Sequence, residues 1–213
     1  MSMGSERDLT VVSHHVSASD RCQRYGHPGG VVWLTGLSGA GKSTLAMGLE
    51  ATLLARGYAT YTLDGDNIRN GLNGDLGFLP AERAENIRRV GEVAALFAHA
   101  GLICITAFIS PYRADRALAR HAARDTRFHE IHLAADLATC EARDPKGLYR
   151  KARSGVLRDF TGIDAPYEAP EHPELLLSTH GESVEESLNR LATYVCDALP
   201  IRKPFQIGCH PHS

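Results

Sequence analysis

Two rhythms of apolar residues alternate along this chain. Short unbroken runs of the kind buried on both faces of a parallel sheet occur at 31–35 (Val-Val-Trp-Leu-Thr), 59–63, 102–109, 128–134 and 175–178, and each predicts a strand. Between them, apolar residues recur every three or four positions, the mark of an amphipathic helix. Leu45, Leu49 and Leu53 predict a helix over 42–56, stopped by Gly57; Ile87, Val90, Val93, Ala94 and Phe97 predict a long one over 80–100, ended by Gly101. Further helices are expected over 113–124 and, briefly, from Cys140 to Arg143. The last follows Ser183-Val-Glu-Glu186, a capping-box pattern, and carries Leu188, Leu191, Val195 and Leu199 on one face.

Strands alternating with helices imply α/β architecture: a parallel five-stranded sheet with helices on both faces. A length of 213 residues suits one such domain. Residues 1–28 are polar and aperiodic and read as a flexible or loosely docked arm; Pro200 and Pro204 break the chain into a tail over 201–213, leaving 29–200 as the domain. No internal repeat and no second domain are visible. Ligands of open parallel sheets gather at the carboxyl ends of the strands, so residues 36–43, 64–67 and 109–110 are expected on one rim.

Composition narrows the function classes without choosing one. A formal net charge of −2 gives no electrostatic reason to expect nucleic acid or an anionic membrane as partner. The run at 102–109 is too short to span a bilayer, and the N-terminus has no apolar core before a cleavage site, so a cytoplasmic protein is expected. Five cysteines (Cys22, Cys104, Cys140, Cys196, Cys209) lack C-x-x-C or zinc-ligand spacing and read as free thiols of a reducing compartment. His14-His15 and His210-Pro-His212 lie in polar terminal segments and read as solvated tails rather than metal ligands.

The chemistry begins immediately after the first strand. Gly36-Leu37-Ser38-Gly39-Ala40-Gly41-Lys42-Ser43, followed by Thr44, matches G-x-x-x-x-G-K-[ST] between a predicted strand and a predicted helix. Its glycines let successive backbone N–H groups face one concavity that suits phosphate oxygens. Lys42 supplies a cation for the β/γ-phosphates, Ser43 a hydroxyl for Mg²⁺, and the helix directs its N-terminal dipole at the anion. The chain is therefore expected to bind ATP with Mg²⁺ as cofactor.

Nucleotide binding leaves the reaction open. An N-K-x-D guanine motif is absent, which argues against a GTPase. Residues 144–164 are basic and glycine-punctuated (Lys146, Arg150, Lys151, Arg153, Arg158), either a solvated face or the mobile lid of a small-molecule kinase. Asp64 and Asp66 close the second strand, on the acceptor side rather than beside the P-loop by this reading. A carboxylate there can orient or accept the proton of an attacking hydroxyl; the same residues also suit a turn bonded side chain to backbone. Arg69, Arg83 and Asn86 fit an anionic acceptor or surface ion pairs, and Phe78 fits a base-stacking ring or a loop anchor.

Longer motifs carry a resemblance. Asp64-Gly-Asp-Asn-Ile-Arg-Asn-Gly-Leu-Asn73, Asp75-Leu-Gly-Phe78, Arg83-Ala-Glu-Asn-Ile-Arg-Arg-Val-Gly-Glu92, Ala107-Phe-Ile-Ser-Pro-Tyr-Arg113, Arg143-Asp-Pro-Lys-Gly-Leu-Tyr149 and Phe160-Thr-Gly-Ile-Asp164 resemble, in order, the adenylylsulfate (APS) kinase family of P-loop kinases. The likeness spans about 29–199. It implies transfer of the ATP γ-phosphate to the 3′-hydroxyl of APS, giving PAPS, with Asp66 orienting or deprotonating that hydroxyl. Asp64, Asp66 and Asn67 would line the acceptor site; Arg69, Arg83 and Asn86 would bind the phosphosulfate and its neighbours. Phe78 and Phe160 would enclose the APS adenine, Ile109, Ser110, Lys146 and Thr161 would complete the site, and Lys146 and Arg150 would arrive with the lid.

The family's pattern also marks Ser110 as a candidate phosphoryl-carrying serine. Ile-Ser-Pro-Tyr offers it no adjacent base, so direct in-line transfer is expected, with Ser110 a hydrogen-bonding contact. Asn70 stands where the family commonly has histidine, and Glu82 where it commonly has aspartate. The resemblance further implies a homodimer and work beside ATP sulfurylase. No fused sulfurylase or GTPase segment is visible, so a stand-alone kinase is expected. Another hydroxyl acceptor, or a non-catalytic nucleotide-binding subunit, are the competing readings; the second predicts decay at Lys42, Ser43, Asp64 or Asp66, and all four are intact.

Overall fold

The computed structural model describes residues 12–202. Five strands, β1 (Gly30–Thr35), β2 (Thr60–Asp64), β3 (Ile103–Ala107), β4 (Arg127–Leu133) and β5 (Leu175–Leu177), form one parallel sheet in the order β2-β3-β1-β4-β5. β1 lies at the centre, pairing from Gly30 with Ile103 on one side and with Arg127 on the other. All six of its residues are buried, the consequence of helices on both faces.

The period of two in β1 sorts the core into two halves. Val32 and Leu34 join Leu45, Leu49 and Leu53 of α2 (Lys42–Ala55) and Leu191 and Val195 of α8 (Val184–Ala198). Val31 and Trp33 face the other way, onto Ile87, Val90 and Ala94 of α4 (Pro80–His99) and Ala119 of α5 (Arg113–Ala122). Burying each leucine of the α2 stripe contributes about 1.5–3 kcal/mol relative to exposing it. On the outer edge, the Thr62 N–H of β2 donates to Glu50 Oε1 of α2 at 2.8 Å, which occupies a strand-edge donor that would otherwise invite pairing.

Every predicted strand and helix is present, with ends displaced by a few residues. Three short helices were not expected. α1 (Ala18–Tyr25) lies within the segment read as an aperiodic arm: Ser17 Oγ accepts from the Asp20 N–H and the Asp20 carboxylate accepts from the Ser17 N–H. None of its residues is buried, so no apolar period announces it. The segment after it is anchored. His27 is fully buried, its Nε2 accepts from the Ala59 N–H at 2.9 Å, and its Nδ1 therefore donates to Pro28 O at 3.0 Å. Burial also lowers the pKa of this ring, in keeping with a neutral imidazole.

α3 (Gly65–Arg69) and α7 (Leu148–Arg153) are the other two, one turn each after β2 and inside the basic segment; the short helix at Cys140 is α6 (Leu137–Arg143). Glu82, the departure from the usual family aspartate, accepts from the Leu79 N–H at 3.0 Å and so caps the start of α4. Asn70 ends α3 and is exposed. The readings made for Cys209, His210, His212, most of the C-terminal tail and the first eleven residues lie outside the described residues. No described helix is long and apolar enough to cross a membrane.

One buried cation ties the sheet's carboxyl edge together. Arg116 of α5 is 2% exposed; its Nε pairs with Glu130 Oε1 of β4 at 2.6 Å, Nη1 donates to Ser110 O at 2.7 Å and Nη2 to Glu168 O at 2.7 Å. Removing one partner of such a pair strands the other in a dry site. Arg116→Ala is expected to cost about 3–5 kcal/mol, lowering the melting temperature by roughly 10 °C for a domain of this size. A loss below about 1 kcal/mol in urea unfolding would contradict this account.

Candidate active site

β1 delivers the chain into the phosphate loop, and α2 begins at Lys42. Gly39 and Gly41 adopt φ of 78° and 96°, conformations that glycine takes without steric cost; a Cβ on Gly39 would also meet the Cys140 carbonyl oxygen at 2.9 Å. The Lys42 ammonium is buried over the loop and donates to Gly36 O at 2.9 Å and Leu37 O at 2.7 Å. Burial, with the nearby Lys146 adding to it, brings its pKa down to about 8, against partial relief from Cys140 and Asp64.

Asp64 corrects the sequence reading. It was expected across the rim from the P-loop, yet its Oδ2 accepts from Ser43 Oγ at 2.7 Å. The last residue of β2 reaches the first turn of α2 because that helix packs over the β2 end of the sheet. The other carboxylate oxygen of Asp64 accepts from the Asp66 N–H at 3.1 Å and starts α3. That turn carries Asp66 to the cavity wall, where its carboxylate pairs with the Lys146 ammonium. Asn67, one residue on, is exposed and does not line the cavity.

A single cavity of about 810 Å³ joins the loop to the far side of the rim. Ser38–Thr44 and, beside them, Asp64 line its donor end, and Asp66, Arg69, Phe78, Arg83 and Asn86 line the opposite wall. Ile109, Ser110, Lys146, Phe160 and Thr161 complete it. Phe78 is 65% exposed with the Arg69 guanidinium 4.4 Å over its ring, whereas Phe160 is buried. Arg83 bridges the two ring-bearing segments: its Nε donates to Phe78 O at 2.7 Å and its Nη1 to Thr161 Oγ1 at 3.3 Å. Asn86 is buried and accepts from Asn73 Nδ2 at 3.0 Å. Arg150 does not line the cavity; a Cβ on Gly147 would meet its guanidinium at 3.0 Å, so it lies back over the chain.

Ser110 is held rather than activated. It sits at φ +39°, a left-handed conformation costing a non-glycine residue about 1–3 kcal/mol. Trp33 Nε1 donates to its Oγ at 3.1 Å, that Oγ lies 3.1 Å from Thr35 Oγ1, and its carbonyl accepts from Arg116. None of these neighbours is a base.

Sequence pattern alone does not point to the part of the cavity wall that lies beyond the phosphate loop. Arg143 Nη1 donates to Gly39 O at 3.2 Å and its Nη2 to Thr179 O at 2.6 Å, while Thr179 Oγ1 donates to Ala40 O at 3.0 Å. Arg143, Thr179, Glu182 and Val184 line the cavity beyond the loop. Extending the strand-end rule to β5 would have found the last three.

A glycine-rich loop opening a helix at the centre of a parallel sheet, facing a wall of carboxylates and arginines across one cavity, defines a P-loop phosphotransferase. Residues 28–178 match the adenylylsulphate kinase family model. An adenylyl-sulfate kinase of Staphylococcus carnosus is 51% identical over 195 residues, covering 92% of this chain and 98% of the relative. One of Geotalea daltonii is 53% identical over 196 residues, covering 92% and 97%. Among solved structures, the Mycobacterium tuberculosis APS kinase CysC in complex with AMPPNP and APS superimposes with a TM-score of 0.76 at 48% identity, covering 79% of this chain and 98% of that one. The chain belongs to the adenylylsulfate kinase family.

Proposed function

We propose that this chain transfers the γ-phosphate of ATP to the 3′-hydroxyl of APS, giving PAPS and ADP. The observation that carries the reading is the continuous cavity joining the phosphate loop to the Asp66–Phe160 wall; the relative solved with AMPPNP and APS supports it. The loop N–H groups and Lys42 hold the triphosphate. Phe160 and Phe78 offer ring faces to the acceptor adenine, and Arg69 and Arg83 offer cations to its anionic groups. Asp66 then orients the 3′-hydroxyl. The 3′-oxygen forms a bond to the γ-phosphorus as the bond to the bridging oxygen of ADP breaks, and the hydroxyl proton passes to the Asp66 carboxylate. Ser110, with its hydroxyl between Trp33 and Thr35, contributes a wall rather than a nucleophile.

Among the described residues no group of three or more His, Cys, Asp or Glu could hold a metal by itself. That suits Mg²⁺ brought by ATP and needing only one or two protein oxygens. Ser43 Oγ and Asp64 Oδ2 are such a hard-oxygen pair. Bound there, Mg²⁺ would neutralise charge on the phosphates. Residues 144–164 act as the lid in this reading, supported by the Lys146–Asp66 pair and the Arg83–Thr161 hydrogen bond across the cavity mouth. A homodimer working beside ATP sulfurylase completes the proposal and rests on the family resemblance.

The test is ADP release coupled to a spectrophotometric assay, with Mg²⁺·ATP and APS as sole acceptor. APS-dependent ADP release is expected, with inversion when the γ-phosphorus is chiral. No turnover with APS, alongside turnover with another hydroxyl acceptor, would reject the assignment.

A further inference from the structure

Tyr149 stands between the two ends of the cavity without lining it. It is the second residue of α7, is 2% exposed, and makes a different contact on each side. Toward the donor end its hydroxyl donates to Ser38 O of the phosphate loop at 2.9 Å, with the Cys140 thiol as the other neighbour of that oxygen. Toward the acceptor end its ring meets Phe160 edge to face, centroids 5.0 Å apart and planes at 87°. Its own position is fixed from behind. The Asp144 carboxylate accepts from the Tyr149 N–H and the Arg150 N–H, each at 3.1 Å, pinning the start of α7.

The consequence is a rigid link. A phenol with two torsions cannot shift its oxygen without moving its ring. A carbonyl of the loop that binds triphosphate is thereby tied to the ring proposed to stack on the acceptor. Phosphate held by the loop N–H groups would bear on the Ser38 carbonyl and, through the phenol, on the orientation of Phe160. Any such effect is reciprocal, because linkage between two binding equilibria has one coupling constant.

Resting on the function proposed above, we infer that Tyr149 is a positioning residue that couples ATP and APS binding, each tightening the other through the Ser38–Tyr149–Phe160 contact. The test is isothermal calorimetry of APS binding to the full chain with and without saturating AMPPNP, in the wild type and in Tyr149→Phe. The variant keeps the ring against Phe160 and the core volume; it removes one O–H. In the wild type AMPPNP is expected to tighten APS binding at least about fivefold, and in Tyr149→Phe the ratio is expected to fall below about twofold. The same ratio is expected when AMPPNP is titrated with and without APS.

A merely structural role would weaken APS binding equally in both conditions and leave the ratio intact, so an unchanged ratio in the variant overturns the inference. So does a wild-type ratio of one. Failure of the wild type to bind APS in either condition overturns the acceptor assignment and this inference with it.

Discussion

Replacing Lys42 with alanine is expected to lower kcat/KM for ATP at least about a hundredfold, the scale on which a preorganised cation at a phosphoryl group acts. The side chain has two tasks. With no nucleotide bound it ties the loop through Gly36 O and Leu37 O, and over the concavity it offers the charge that the β/γ-phosphates need. Its pKa, brought down to about 8 by burial, gives the prediction a second readout. Below pH 8 the ammonium is charged and meets the triphosphate. As pH rises through 8 in the free protein it loses its proton, so affinity for ATP should fall across that limb. Holding the charge costs the nucleotide-free fold stability below pH 8, and that cost fades between pH 8 and the ordinary lysine value of 10.5. Lys42→Ala should lack the alkaline limb in a KM-against-pH profile; a rate within tenfold of wild type would contradict both tasks.

Asp66→Ala is expected to reduce kcat by about a hundredfold or more, the lower end of what a positioned proton acceptor supplies. Asp64 and Asp66 are two residues apart, but α3 divides their work. Asp64 faces Ser43 of the phosphate loop, while Asp66 pairs with Lys146 of the 144–164 segment. The loss in Asp66→Ala should therefore fall on kcat and on KM for APS, with KM for ATP changing little. Steady-state kinetics with each substrate varied separates the two; a rise confined to KM for ATP would reassign Asp66 to the metal side.

The sheet was legible because parallel strands are buried on both faces and leave unbroken apolar runs. α1 and α3 were not, since neither buries a residue, and α7 buries only Tyr149 and Ala152. The phosphate loop was legible because its chemistry is local, eight consecutive residues between a strand and a helix. The wall facing the loop is assembled from α3, the start of α4 with the loop before it, the turn after β3 and the 144–164 segment, and it was reached through the resemblance rather than through spacing. The Asp64 placement failed for a physical reason: strand ends can be read along a chain, but the packing of α2 over β2 cannot. Arg116, Tyr149 and Thr179 act through partners more than fifty residues distant or through backbone carbonyls, which leave no local pattern.

Trp33 is the only tryptophan of the chain and is fully buried at the centre of the sheet, between Phe108 and Phe128. Its indole N–H ends on Ser110, a residue of the cavity wall. The protein thus carries a single indole fluorophore, wired by one hydrogen bond to the cavity wall. Excited at a wavelength that passes over the tyrosines, this indole is expected to emit as one in a dry surrounding, and a change on adding ligand would report on the Ser110 wall with no label and no substitution.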